Sequence, residues 1–197
     1  MSFNRDIQLD PNRVQTRSGG GRGAVIGGGS ILTVIAVVLI SQLTGVDLTS
    51  MLGAQQQTGT TTSTASSIDT SVCTSGDSAN KYTQCRMVAT AESLDAVWTE
   101  QLPAQAGIKY AKPEFVLWDG TQISSACGNA SSAVGPFYCS GDRTVYLDMS
   151  FFSEMERSLG AADTPLAEEY IVAHEFGHHI QHLTGQMAKA DRSGSGA

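Results

Sequence analysis

The sequence predicts an α+β fold for its C-terminal part, and three observations predict it. Apolar residues recur at helical spacing over 86–102 and again before Gly185. Short runs rich in β-branched and aromatic residues lie between those two stretches. The helical and extended segments are interspersed without the regular strand–helix–strand alternation of a doubly wound sheet.

Each element has its own signals. Met87, Ala91, Leu94, Trp98 and Leu102 share one helical face and the pattern stops before Pro103, so 86–102 reads as an amphipathic helix with Trp98 in the core. Glu114-Phe-Val-Leu-Trp118, followed by Asp119-Gly120, reads as a strand and turn. Gly135-Pro-Phe-Tyr-Cys139, a Ser-Gly-Asp turn, and Thr144-Val-Tyr-Leu-Asp148 read as a hairpin, so the expected sheet is small and antiparallel. Ser150 can cap a helix through about Leu159, which Gly160 ends. The last helix has the fullest set of signals: Asp163 or Thr164 as N-cap, Pro165 in the first turn, Glu168 and Glu169 at the positive end of the dipole, and Gly185 as the stop.

The 197 residues divide by composition. Residues 1–22 carry Arg5, Arg13, Arg17 and Arg22 and read as a cytoplasmic tail. Residues 23–46 hold no charged side chain, and their middle, Ile31 to Ile40, is almost wholly aliphatic. Twenty helical residues rise about 30 Å, the thickness of a bilayer's hydrocarbon core, so this run reads as one transmembrane helix. Arginines before it and Asp47 after it place the N-terminus in the cytoplasm and the remainder outside the cell or in the periplasm. No A-x-A cleavage pattern follows, which favours an uncleaved anchor over a signal peptide. Over 47–72, twelve of twenty-six residues are Ser or Thr, the composition of a flexible linker. The folded domain is expected at 73–197.

Nineteen acidic against twelve basic residues give a net charge of −7, which excludes a grip on nucleic-acid phosphates as the main function. Cys73/Cys85 and Cys127/Cys139 are each twelve positions apart. Four cysteines allow three pairings; an oxidising compartment favours disulfides, and the two local pairings are preferred. The C-x-x-C spacing of a thiolate metal site or redox centre is absent.

All four histidines fall within 174–182. His174-Glu175-Phe176-Gly177-His178 is an H-E-x-x-H pattern on a capped helix. Imidazoles four residues apart lie on one face, one turn from each other, and can reach one Zn²⁺. Glu175, rotated by one residue, can reach a water at the ion and act as general base. The pattern also arises by chance on solvated helices; the capped amphipathic setting in an exported domain favours the metal reading. A mid-helix Gly177 costs roughly 1 kcal/mol against Ala, which close packing or open space near the metal would explain. His182 sits about 12 Å along the axis from His174 at 1.5 Å per residue, too far to share one tetrahedral ion on a straight helix. His182 therefore reads as a surface or supporting residue, and His179 as structural.

Cys127 to Cys139, Val145-Tyr-Leu-Asp148 with Phe151-Phe152, and Ala173-His-Glu-Phe-Gly-His-His-Ile-Gln181 together resemble the neutral zinc metallopeptidase family of membrane-anchored bacterial proteins. The opening Phe3-Asn4, Leu9-Asp10-Pro11 and the Gly-rich N-terminus are similar to it as well. The resemblance implies a zincin-like domain, zinc on His174 and His178, Glu175 as catalytic base, and a peptide or protein substrate. Members of that family continue into a segment resembling Glu-Leu-Gln-Ala-Asp, whose Glu supplies a third ligand. This chain stops nineteen residues after His178 without one, so the domain is expected to be incomplete at its C-terminus, with Asp191 the remaining, weak acidic candidate. The alternative is a truncated or degenerate non-catalytic envelope module that retains the fold.

Overall fold

The computed structural model describes residues 2–19, 68–159 and 164–189. The expected transmembrane helix at 23–46 and most of the expected linker lie outside these residues. Among the described residues no helix is long and apolar enough to cross a membrane.

Six strands and four helices are described, in an α+β arrangement. The strands are β1 (Gln15–Gly19), β2 (Glu114–Gly120), β3 (Gln122–Ser125), β4 (Gly128–Ser131), β5 (Phe137–Cys139) and β6 (Thr144–Asp148). The helices are α1 (Gly76–Lys81), α2 (Thr83–Ala106), α3 (Phe151–Leu159) and α4 (Pro165–Leu183). The expected hairpin is present as β5 antiparallel to β6, but the main sheet is not antiparallel throughout. Its order is β1-β2-β6-β5, with β1, β2 and β6 parallel and only β5 reversed. The physical reason is burial on both faces: β2 and β6 are central strands with near-continuous apolar runs, the mark of a parallel arrangement. β3 and β4 form a separate antiparallel pair; their Ser-, Asn- and Gly-rich sequence carries no strand periodicity.

Period-2 alternation divides the core. Phe115, Leu117, Val145 and Leu147 face the helices, where they meet Met87, Val88, Val172 and Phe176. Val116, Trp118 and Tyr146 face the other way, onto Ile123 and Ala130 of the β3–β4 pair. α2 runs past Pro103, where the sequence pattern stopped, and closes four residues later at Gly107, whose φ of 67° suits glycine. Trp98 is partly buried against Leu102, Tyr110 and Ile180. Both local disulfides, Cys73–Cys85 and Cys127–Cys139, are formed.

Residues 2–19, expected as a separate tail, are part of the folded body instead. Leu9 and Val14 are buried in the main core. Asn80 clamps Phe3 through both backbone groups, at 2.8 and 2.9 Å. A Cβ at Gly76 would overlap the Asn4 carbonyl, so glycine there lets the segment lie directly against α1. β1 then pairs with β2 from Gln15↔Val116 to Gly19↔Gly120. One of the arginines that suggested a cytoplasmic flank is bound into this body: Arg13 forms an ion pair with Asp95 at 2.6 Å, both side chains largely buried.

Candidate metal centre

α4 presents the H-E-x-x-H residues as local sequence dictates. Thr164 is the N-cap, its side chain accepting from the Ala167 backbone N–H, and Pro165 occupies the first turn. Glu168, expected to interact with the helix dipole, is buried and forms an ion pair with Arg86 of α2. Phe176, between the two motif histidines, packs edge-on against Phe115 of β2 and lies 5.8 Å beneath the Arg13 guanidinium. These contacts set the rotation of α4, so Phe176 faces the core while His174 and His178 face away from it.

The His174 and His178 rings lie 4.7 Å apart between centroids and nearly perpendicular, at 85°. His178 Nδ1 is 3.0 Å from Gln181 Oε1. With that acceptor Nδ1 carries the proton, which leaves Nε2 unprotonated, as a metal ligand must be. Glu175 is buried. Burial raises its carboxyl above the usual range, while His178, His174 and the Tyr138 backbone N–H oppose the rise. The donor set thus suits a zinc ion in two of its ligands. Among the described residues no third His, Cys, Asp or Glu joins them in a group able to hold a metal. Asp191 lies outside the described residues.

Tyr138 of β5 was invisible as a site residue in the sequence. Its hydroxyl is 3.0 Å from His179 Nδ1 and 2.9 Å from His182 Nδ1, and His179 Nε2 is 2.6 Å from the Ala111 carbonyl. A carbonyl only accepts, so His179 Nε2 carries the proton. Burial lowers the His179 pKa and keeps that ring neutral. Tyr138 therefore donates to His179 Nδ1 and accepts from His182 Nδ1–H. Burial likewise pushes the Tyr138 phenol up to about 12, so it stays protonated. His179 is fully buried and structural, as its helix position suggested. His182 supports the same network. Tyr138 joins the edge strand to the motif helix at three points, two through its hydroxyl and one through its backbone at Glu175.

A family model described as "Putative neutral zinc metallopeptidase" matches residues 6–197. The chain belongs to that family. It is 44% identical over 157 residues to the uncharacterized protein Rv2575 of Mycobacterium tuberculosis, covering 80% of this chain and 51% of the relative. It is 37% identical over 161 residues to the uncharacterized protein YpfJ of Escherichia coli K12, covering 80% and 50%. The chain spans about half the length of these curated relatives. No solved structure matches it. A family of that description implies zinc.

Gly177 bears on the geometry of this face. No atom lies within 4 Å of a Cβ added there, so close packing does not explain the glycine and the space beside the motif is open. Gly177→Ala is therefore expected to stabilise the fold by about 0.5–1 kcal/mol through helix propensity. Thermal unfolding of the metal-free protein checks this, and a fall in Tm would show a hidden clash.

Proposed function

We propose that this protein is a membrane-associated, zinc-dependent metallopeptidase. The observation that carries the reading is the arrangement on α4: two imidazoles side by side, their ring centroids 4.7 Å apart, with buried Glu175 in the same turn. Zinc held by His174 and His178 would polarise the scissile carbonyl and acidify a water. Glu175, its carboxylate steadied by the Tyr138 N–H, takes the proton from the attacking water and passes it to the leaving amine. Gln181 keeps His178 in the ligating tautomer.

Two disulfides support work in an oxidising compartment, with membrane attachment through 23–46. Because residues 2–19 are integral to the domain, this proposal puts them on the same side as the site, so 23–46 would enter and leave the bilayer on that one side rather than cross it. A second reading, a non-catalytic envelope module, draws on the absence of a third ligand among the described residues.

Metal analysis tests the assignment. The purified wild-type chain is expected to retain zinc after dialysis, and His174→Ala to lose most of it. No zinc in the wild type, or equal zinc in the variant, would remove the metal centre from this reading.

A further inference from the structure

A cavity of about 360 Å³ opens directly beside the motif. Its walls are Val134, Pro136, Phe151, Ile171 and Tyr170, and it ends at His174 and Glu175. Apart from those last two, no charged side chain lines it among the described residues. The contrast with another cavity of the domain is sharp: Asp10, Arg13, Glu92, Asp95 and Lys112 all line that one.

The rim is unusual for a soluble surface. Val134 is 60% exposed and Tyr170 68% exposed. Leu166, one turn before Tyr170, is exposed as well, so an apolar stripe runs along α4 from Leu166 through Tyr170 to His174. The Tyr170 and His174 rings are 6.4 Å apart, which makes the stripe continuous with the metal centre. The opposite wall is shaped by Gly135, whose φ of 78° turns the chain into β5. A Cβ there would stand 3.1 Å from the Phe151 ring, so the glycine lets the turn lie flat on that ring.

We propose that this cavity is a specificity pocket that takes a large apolar side chain, of the leucine or phenylalanine class, next to the scissile bond of the substrate. The inference rests on the peptidase reading for the word substrate, and on the pocket alone for the class of side chain. A peptide whose carbonyl reaches Glu175 and His174 must put a flanking side chain within a few ångströms of them, and the adjoining space has apolar walls. An aspartate side chain there would be desolvated against apolar walls, with Glu175 at the end of the cavity as a like charge. The volume lies at the small end of ligand cavities, the scale of one side chain rather than a cofactor.

The test uses the whole chain and has two independent arms. In the first, N-acetyl-phenylalaninamide and N-acetyl-aspartamide are titrated into metal-free protein and followed by amide chemical shifts. The apolar probe is expected to move Val134, Gly135 and Ile171 and to bind at least about tenfold more tightly than the acidic one. Val134→Lys, on an exposed position that the fold does not need, is expected to remove most of that preference, because it adds a cation that attracts the acidic probe. Equal binding of the two probes, or shifts that map elsewhere, would overturn the pocket. In the second arm, the zinc-loaded protein cleaves a peptide mixture read by mass spectrometry. Cleavage beside Leu, Phe or Met is expected, with Val134→Lys shifting it towards acidic neighbours. Cleavage that ignores the flanking residue overturns the proposal. No cleavage, with selective probe binding intact, supports the apolar pocket and counts only against the peptidase reading.

Discussion

Glu175→Gln is expected to lower zinc-dependent peptide cleavage by about 100-fold or more while leaving bound zinc unchanged. Gln has the shape of Glu and can still accept from the Tyr138 N–H, so the strand-to-helix contact survives. What it loses is the ability to take a proton. Stability should not fall, because the substitution replaces a buried carboxylate, whose charged form is opposed by burial, with a neutral amide. The combination of lost cleavage, retained zinc and retained Tm separates a proton-transferring role from a ligand role. His174→Ala should lose zinc and cleavage together. Peptide cleavage by mass spectrometry, metal analysis and thermal melts on the two variants provide the comparison. A Glu175→Gln protein that cleaves at the wild-type rate would exclude Glu175 as the base.

Removal of residues 2–19 is expected to prevent cooperative folding of the domain. Three losses coincide. Leu9 and Val14 leave the main core. β2 becomes an edge strand and exposes the backbone groups that β1 covered, which invites aggregation. Asp95, buried and accepting from Tyr110 at 2.8 Å, loses Arg13 and keeps only the exposed Lys112 as a cationic partner at 3.3 Å. Breaking a buried pair from one side typically costs about 3–5 kcal/mol, a large part of the stability of an ordinary domain. Arg13→Met isolates that contribution and should be milder than the deletion, because Lys112 remains and the β1 pairing is intact. The Arg13–Phe176 contact also predicts that the damage reaches the metal helix, read as weaker zinc retention in Arg13→Met. A deletion variant with a wild-type melting curve would show that the segment is dispensable to the fold.

That segment is the largest difference between sequence reading and structure, and the reason is physical. β1, Gln-Thr-Arg-Ser-Gly, has no alternating apolar pattern because it is an edge strand with little burial. Its partner is β2, and the Gln15–Glu114 side-chain bond spans 99 positions. Backbone hydrogen bonds to a distant strand leave no periodic trace in the residues that make them. The parallel order of the main sheet was hidden in the same way. The β5–β6 turn is local and readable, while the pairing of β2 with β6 is not. Tyr138 belongs to this class too: one aromatic among several in its stretch, made a site residue only because β5 lies against α4.

The motif helix was legible because each of its signals acts within a turn or two. The Thr164 cap, Pro165, the four-residue spacing of His174 and His178, and Gly185 all operate through the helix's own backbone geometry. The two disulfides, each closing a twelve-residue separation, were legible for the same reason of short range. By itself, then, the sequence determined an α+β chain with a capped helix carrying two neighbouring imidazoles and a carboxylate, because helical periodicity encodes what shares a face. Only the tertiary structure decided which face of that helix meets the core, which strand steadies Glu175, that residues 2–19 complete the sheet, and that an apolar cavity adjoins the motif. Those depend on contacts between segments tens of residues apart, which burial and backbone pairing select collectively.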